Sequence, residues 1–360
     1  MTENNMELRG EEKVVYALRS LYTSYGYVPY RMSRFEEYDL YAGNKDFLVS
    51  GAIITFTDTD GKLMALKPDV TLSIVKSIKD QKGPVSRVCY DENVYRVSDQ
   101  SGTFREIMQV GLECIGPVDL VQLAEVVVLA EKSLSTISSS SLLALSHMGI
   151  VEAFLDSIAS EDLKNEVIKC LSARNVPELK ALCEENPEDA AAIDKIRQLA
   201  SLNGSNSEIL ASLETMGADK ASLSELKSIL SVLSDEKTRI DFSVIGGMNY
   251  YNGIVFRGYV EGVPGSVLSG GQYDKLMARM GRKQRAVGFA VYMDALERLL
   301  ESKNEYDTDV VLLYEEGDDV KEILSRISEI QKGGESVTAV KTLPTSLRYK
   351  RLEKTGGKNA

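Results

Sequence analysis

Apolar positions near the start of the chain recur with the period of an α-helix. Residues 8–25 place one row of apolar side chains on a common face: Val14, Val15, Leu18, Leu21 and Tyr22. Polar residues fill the opposite face, and Gly26 follows, a residue type that commonly ends a helix. The pattern predicts an amphipathic helix that opens the fold.

Short apolar runs with the character of β-strands come next. Residues 49–58 and 62–68 are separated by turn residues at 58–61, which predicts a β-hairpin. Residues 87–97 and 104–116 form a second pair of runs, joined by a polar loop that contains Gly102. Together these runs predict an antiparallel sheet.

A stretch of helical period, about 120–236, separates these strands from a later group. It contains a serine-rich break at 138–141 and Pro187, which is placed where it could open a further helix. Strand character returns at 240–262 and 286–293, and a helix follows the second run. We therefore predict a helical insertion inside a sheet that is completed late in the sequence.

The last part of the chain predicts a single β-α-β unit. Strand-like runs at 309–316 and 336–342 flank a helical segment, and residues 344–360 add a short polar, basic end. This is too little for an independent domain of ordinary size. The prediction is thus an α+β protein with one domain over residues 1–305 and a short α/β segment over residues 306–360.

Composition narrows the classes of protein that fit. A chain of 360 residues with 43% apolar content can bury a full core. No apolar run approaches the ~20 residues that span a bilayer, and the first residues are polar and acidic, so we expect a cytosolic protein without a membrane partner. Four dispersed cysteines and one histidine, His147, offer little to a metal site or a nucleophilic triad. We expect His147 to be a structural helix residue.

The net charge of −12 bears on nucleic acid as a ligand, because a tRNA-binding surface needs basic side chains to replace phosphate counterions. An acidic surface argues against such a partner.

Polar residues inside or beside the predicted strands are the candidates for chemistry. Asp69, Gln109 and Glu113 fall where apolar residues would be expected, and the spacing of Gln109 and Glu113 places both on one face of a strand. Buried carboxylates need a cation or hydrogen-bond donors. An ammonium or imidazolium ligand flanked by Tyr250 and Tyr251 would supply one. Internal salt bridges, with neighbours such as Arg96 and Arg105, are an equally open alternative.

Six segments, in order, resemble the catalytic domain of histidyl-tRNA synthetases, which have a class II synthetase fold. GYVPYRMSRFEEYDLY is similar to motif 1, ALKPDVT to the L-R-P-E-G-T segment, and VYRVSDQSGTFREIMQVGLECIG to motif 2. IGGMNYYNGIVF is similar to R-G-L-D-Y-Y-x-x-x-x-F, SGGQYDKL to the G-G-R-Y-D loop, and VGFAVYMDALERLL to motif 3. The series covers roughly residues 10–300 and is more specific than any single segment.

The resemblance implies that the histidine-binding positions of the family are retained. They fall on residues that offer acceptors to the α-ammonium and acceptors and hydroxyls to the ring nitrogens: Asp69, Thr71, Gln109, Glu113, Tyr251 and Tyr273. Arg96 corresponds to the first arginine of motif 2, which could meet the carboxylate of histidine. Tyr250 stands beside Tyr251 in the same wall.

The family's ATP-binding and activation positions are changed. The motif 2 glutamate becomes Ser98, and the arginine that stabilises charge at the α-phosphate becomes Gly246. Such a group typically contributes several kcal/mol to transition-state stabilisation. In motif 3, Ala295 stands at the arginine that contacts ATP and Tyr292 stands at a glycine. Arg298 lies one helical turn beyond Ala295 and is the nearest substitute.

A retained amino-acid pocket with lost adenylation chemistry resembles the regulatory subunits of short-form ATP phosphoribosyltransferases. The resemblance implies that the chain has no catalytic residues and no cofactor. It also implies that the chain forms a homodimer within a hetero-oligomer that includes the short catalytic subunit. It also implies that the chain supports activity in histidine biosynthesis and mediates feedback by histidine. A divergent but active histidyl-tRNA synthetase is the alternative, and a relative that binds another amino acid or acts on a protein partner is a third.

Overall fold

The computed structural model describes residues 9–44, 53–78, 83–97, 102–246, 250–300 and 306–355. The chain divides into two units, residues 11–299 and residues 1–10 together with 300–360. The helices are α1 (Gly10–Ser24), α2 (Tyr38–Ala42), α3 (Val70–Ser77), α4 (Leu120–Ile137), α5 (Met148–Leu155), α6 (Glu161–Ser172), α7 (Val176–Glu185), α8 (Ala190–Ser201), α9 (Asn206–Thr215), α10 (Lys220–Leu230), α11 (Asp274–Arg279), α12 (Met293–Leu300) and α13 (Val320–Lys332).

The strands are β1 (Val28–Pro29), β2 (Phe35–Glu37), β3 (Thr55–Thr57), β4 (Leu63–Leu66), β5 (Ser86–Val97), β6 (Phe104–Gly116), β7 (Ser141–His147), β8 (Thr238–Ile240), β9 (Ile254–Val260), β10 (Leu268–Gln272), β11 (Arg285–Tyr292), β12 (Thr308–Leu313), β13 (Val337–Val340) and β14 (Tyr349–Lys354). Eight of them form the main sheet, in the order β1-β5-β6-β11-β10-β9-β7-β8.

The main sheet is antiparallel except at its two edges, where β1 pairs with β5 and β8 pairs with β7 in parallel. Helices flank it, which confirms the predicted α+β architecture with an antiparallel sheet. The predicted hairpin is also present, since β3 and β4 pair antiparallel, and β2 extends them to a small three-stranded sheet. The first four residues of its predicted strand, 49–52, lie outside the described residues.

One face of the main sheet packs on helices α1 and α4. The predicted amphipathic helix is confirmed as α1: Val14, Val15, Leu18 and Tyr22 are buried. The Tyr22 ring meets the Phe289 ring of β11 edge to face, with centroids 5.8 Å apart. Side chains alternate between the two faces of a sheet. The neighbours of Phe289 on β11, Gly288 and Ala290, therefore lie toward the opposite face, where the cavity described below is found.

The predicted helical stretch is interrupted by a strand. Residues 141–147 form β7, which enters the main sheet beside β9, and helices α5 to α10 follow it. The prediction was wrong here because a short apolar run such as S-L-L-A-L-S-H fits a buried strand and a helix equally well. His147 is accordingly the last residue of a strand rather than a helix residue, and Pro187 lies in the turn before α8 instead of opening it.

Two further elements differ from prediction. Within 240–262, the described residues carry a strand only at 254–260 and at the end of β8, while 241–246 form turns and coil. Conversely, the glycine-rich segment around Gly270 and Gly271, whose composition suggests a loop, is the strand β10. A Cβ on Gly271 would lie 2.7 Å from the carbonyl oxygen of Ile254. Glycines therefore allow close contact between strands here instead of ending one.

The C-terminal segment contains the predicted β-α-β unit. Strands β12 and β13 are parallel and α13 connects them. The segment predicted to be a polar end contributes a third parallel strand, β14, giving the order β13-β12-β14. Its sequence, Y-K-R-L-E-K, hid the strand because four of the six residues are exposed and most are charged. Among the helices of the described residues, none is long and apolar enough to cross a membrane.

Candidate functional site

A cavity of about 300 Å³ opens on the free face of the main sheet. Its floor is formed by β6, β9, β10 and β11, and its wall by the start of α3 and the segment around 250. A volume of this order fits a ligand the size of one amino acid. All eight residues predicted from the sequence line it: Asp69, Thr71, Arg96, Gln109, Glu113, Tyr250, Tyr251 and Tyr273.

Glu113 is the most buried carboxylate of the cavity, with 2% of its surface exposed. Its Oε1 accepts a hydrogen bond from Thr71 Oγ1 at 2.8 Å, and its Oε2 accepts one from the Tyr273 hydroxyl at 2.6 Å. Burial raises the pKa of Glu113 to about 8 because the charged form loses water, although both hydrogen bonds act in the other direction. Room for this side chain comes from Gly288 on β11, where any Cβ would overlap Glu113 Oε2.

Asp69 stands at the N-terminus of α3 rather than in a strand. Its Oδ1 accepts a hydrogen bond from the Leu72 amide at 2.9 Å, so it caps the helix. Burial raises the pKa of Asp69, while the Leu72 amide and the Arg96 charge act to lower it. Asp69, which was expected to contact a ligand, thus also stabilises the first turn of α3. The sequence contained a sign of this second role, because an aspartate directly before an apolar helical run is typical of an N-cap.

The salt-bridge alternative is not formed in the part of the chain that the structure describes. There, no ion pair joins Asp69 or Glu113 to Arg96 or Arg105. Arg96 instead donates from Nε to the Pro68 carbonyl oxygen at 2.9 Å. The acceptors of the cavity therefore remain available to a ligand.

Aromatic rings and an amide complete the wall. The Tyr250 ring centroid lies 4.5 Å from that of Tyr251 and 5.9 Å from that of Tyr273. Gln109 is 4% exposed, and no hydrogen bond to its side-chain amide is formed within the described residues. An amide that lines a cavity and forms no hydrogen bond within the described residues is a group to which a ligand can bind.

The structure describes most of the positions at which the sequence departs from the family's ATP-binding residues. A Cβ on Gly246 would overlap the Tyr251 ring, so no side chain fits there. Tyr292 lines the cavity, and its hydroxyl lies 2.5 Å from Ser269 Oγ. Arg298 is exposed on α12 and is not among the residues that line the cavity. Ser98 lies outside the described residues.

The sequence interpretation missed Arg257 on β9. This side chain lines the same cavity, and its Nη2 donates to the Ile245 carbonyl oxygen at 3.3 Å. The signal was present, because a charged residue interrupts the apolar run I-V-F-R-G-Y-V much as Gln109 interrupts its own strand. Among the described residues, no cluster of three or more potential metal ligands occurs.

Comparisons with known proteins give the family. The family model for histidyl-tRNA synthetase matches residues 4–296. A relative from Clostridium kluyveri, named ATP phosphoribosyltransferase regulatory subunit, is 27% identical over 91% of this chain and 88% of its own length.

Solved structures agree in fold. The structure of an ATP phosphoribosyltransferase regulatory subunit/histidyl-tRNA synthetase from Bacillus halodurans C superposes with a TM-score of 0.80 at 23% identity, covering 100% of this chain and 99% of that one. A chain of the ATP phosphoribosyl transferase (HisG:HisZ) complex from Thermotoga maritima superposes with a TM-score of 0.63 at 20% identity, covering 79% and 97%. The family model covers most of the sequence, and the chain therefore belongs to the histidyl-tRNA synthetase family.

Proposed function

We propose that this chain is a non-catalytic regulatory subunit of ATP phosphoribosyltransferase that binds free histidine in the cavity. One observation carries the proposal. The cavity contains the hydrogen-bond acceptors that an amino acid needs, while the Tyr251 ring leaves no space for a side chain at Gly246. Asp69 and Glu113 are available to a cationic ligand, whereas no side chain can extend from position 246 past Tyr251. The names of the relatives support the same assignment.

In the proposed complex the cationic and polar groups of histidine meet the carboxylates and hydroxyls of the cavity. Asp69 and Gln109 supply acceptors for the α-ammonium group. Glu113 and Tyr273, already hydrogen-bonded to each other, face the imidazole ring. The rings of Tyr250 and Tyr251 flank the ligand, where a cation gains from contact with an aromatic face.

The absence of catalysis follows from what adenylation requires. Attack of the carboxylate on ATP needs positive charge at the α-phosphate and space for adenosine. Gly246 provides no charge, and Tyr292, held by Ser269, takes up space on the side where a glycine would admit adenosine. We therefore assign no catalytic residues and no cofactor to the chain.

The partner in this proposal is the short-form catalytic subunit of ATP phosphoribosyltransferase. The chain would form a homodimer, as the motif 1 resemblance implies. This homodimer would be part of a cytosolic hetero-oligomer with the catalytic subunit. The similar chain from Thermotoga maritima belongs to an ATP phosphoribosyl transferase complex of two components, HisG and HisZ, which supports an assembly of this kind. Histidine in this cavity would then inhibit the catalytic subunit through a coupling free energy between the histidine site and the active site. Such coupling typically changes the affinity of a ligand at the second site by about 5–150-fold.

The test is reconstitution with the short catalytic subunit of the same organism. ATP phosphoribosyltransferase activity should require this chain and should fall when histidine is added. Glu113→Ala should abolish the response to histidine without unfolding the chain, whereas Glu106→Ala, an exposed position on the same strand, should leave it intact. Inhibition by histidine that is unchanged in Glu113→Ala would place the effector elsewhere.

An active histidyl-tRNA synthetase is the second candidate, and Arg257 is the observation that favours it. This residue could supply the cation that Gly246 lacks, since it contacts the carbonyl of Ile245 next to that position. Histidine-dependent ATP-pyrophosphate exchange separates the two functions. Clear turnover in the isolated chain would replace the regulatory assignment with a catalytic one, and calorimetry against the twenty amino acids would expose a different ligand.

A further inference from the structure

Arg257 is a positive charge without a carboxylate partner. It is half-buried on β9, and within the described residues no acidic side chain lies within ion-pair distance of its guanidinium. Its only hydrogen bond there is the contact with the Ile245 carbonyl. An unpaired charge removed from water costs free energy, so a stable fold keeps one mainly where a ligand completes the pair.

The register of the sheet places Arg257 across the cavity from Glu113. Glu113 on β6 is level with Gly288, Gly271 and Val255 on the next three strands, and Arg257 lies two residues beyond Val255 on the same face. Three strand spacings amount to about 14 Å between the backbones. Both side chains line the cavity, so a carboxyl group and a guanidinium group stand at different ends of a space that fits one small ligand.

We propose that Arg257 binds the carboxylate of the amino acid in this cavity and makes the site selective for ligands with a free carboxylate. The inference rests on the proposed function, because it assumes that an amino acid occupies the cavity. A guanidinium suits this role, since it can donate two parallel hydrogen bonds to a carboxylate.

Arg96, the residue first expected to meet the carboxylate, is placed less favourably. Like Arg257, it donates one N–H to a backbone carbonyl, here from Nε to Pro68, but its charge also acts on Asp69 and works to lower the pKa of that carboxyl. Arg257 has no such acidic neighbour among the described residues. Ser269, level with Arg257 on the adjacent strand β10, adds a hydroxyl to the same end of the cavity.

The experiment compares two ligands that differ at one group. Histidine carries the carboxylate, and histidinol carries a hydroxymethyl group in its place. Isothermal titration calorimetry on the full chain should show that the wild type prefers histidine by on the order of 100-fold, the scale of a truncated charged pair. Arg257→Met should bring the affinity for histidine down to that for histidinol while leaving histidinol binding unchanged.

Two further variants test the reasoning. Arg257→Lys keeps the charge without the two-pronged geometry and should restore part of the preference. Arg239→Met removes an arginine from the edge strand β8, outside the cavity, and should keep the full preference, provided that both variants melt at the wild-type temperature.

The outcomes separate the two proposals. A wild type that binds histidine, with an Arg257→Met variant that still prefers it over histidinol, overturns the assignment of Arg257 alone. Equal loss of both ligands in Arg257→Met also overturns it, because the effect is then not specific to the carboxylate. A wild type that binds neither ligand overturns the proposed function and this inference with it.

Discussion

Replacement of Glu113 by glutamine tests whether this carboxyl keeps its proton in the folded chain, because glutamine has the same shape and cannot ionise. The amide oxygen can accept the hydrogen bond from Thr71 that Oε1 accepts now. The amide nitrogen can donate to the Tyr273 oxygen, since a hydroxyl both donates and accepts. The variant can therefore keep both contacts and differ from the wild type mainly in its ability to ionise.

The expected effect on the free energy of unfolding follows from the pKa of Glu113, which burial raises from 4.5 to about 8. Between these values the folded chain holds a proton that the unfolded chain has released, so the free energy of unfolding falls as pH rises. The stabilising contribution is complete below the unfolded pKa and is lost as pH rises through the folded one. A difference of about 3.5 pH units corresponds to on the order of 5 kcal/mol.

Chemical denaturation at pH 5, 7 and 9 without histidine measures this effect. The stability of Glu113→Gln relative to the wild type should increase by several kcal/mol from pH 5 to pH 9, because the variant has no proton to lose. Other ionisable groups are shared and cancel in the comparison. Glu106→Gln, on the same strand but exposed, should follow the wild type at each pH.

Calorimetry should show that Glu113→Gln also loses histidine binding, so that the variant is more stable at high pH and inactive as a sensor. Parallel pH profiles of stability for Glu113→Gln and the wild type would refute the reasoning. They would mean that the Glu113 carboxyl ionises in the folded state as readily as it does in water.

Two further substitutions probe the glycines of the site. Gly288→Ala should abolish histidine binding in calorimetry because its methyl group would overlap Glu113 Oε2, whereas Gly83→Ala, where a Cβ meets nothing within 4 Å, should bind normally; normal binding in both would show that the cavity adapts. Gly246→Arg should fail to produce ATP-pyrophosphate exchange and should weaken histidine binding, since the new side chain must displace the Tyr251 ring; exchange above background would show that one arginine is enough.

The main sheet could be predicted because its longest strands have consistent patterns. The runs predicted at 87–97 and 104–116 are β5 and β6, and three of their four ends coincide while the fourth differs by one residue. The strands that prediction missed lack a clear alternation of apolar and polar residues: β7 has an apolar centre, β14 is mostly exposed, and β10 contains two glycines. Gly270 and Gly271 in β10 face close neighbours, so their missing side chains are a requirement of the sheet, yet glycine in a sequence signals a turn.

The strand pattern alone pointed to the polar residues and paired tyrosines of the site, and the family resemblance added Thr71 and Tyr273 and gave Arg96 a role. Residues carried over from the motifs meet in one cavity, although they lie far apart in the chain. Arg257 was missed because no motif position corresponds to it and because nothing local shows which face of β9 it occupies. That information lies in the pairing of β9 with β10, where Arg257 stands opposite Ser269. A contact of this kind is set by the whole sheet.

The charges of the cavity favour a zwitterion over a nucleotide. The acids and bases among its lining residues include two carboxyl groups, Asp69 and Glu113, and two guanidinium groups, Arg96 and Arg257. Burial raises the pKa of Glu113 to about 8, so this carboxyl is largely protonated at neutral pH when no ligand is present. The ammonium group of an amino acid favours ionisation of Glu113, and its carboxylate can meet a guanidinium, so each charge of the ligand has a partner of opposite sign. A triphosphate would instead add several negative charges to a cavity that contains two carboxyl groups, and at about 4 Å each pair of like charges costs on the order of 4 kcal/mol near a protein surface. The cavity thus suits its proposed ligand in size and in the positions of its acidic and basic groups.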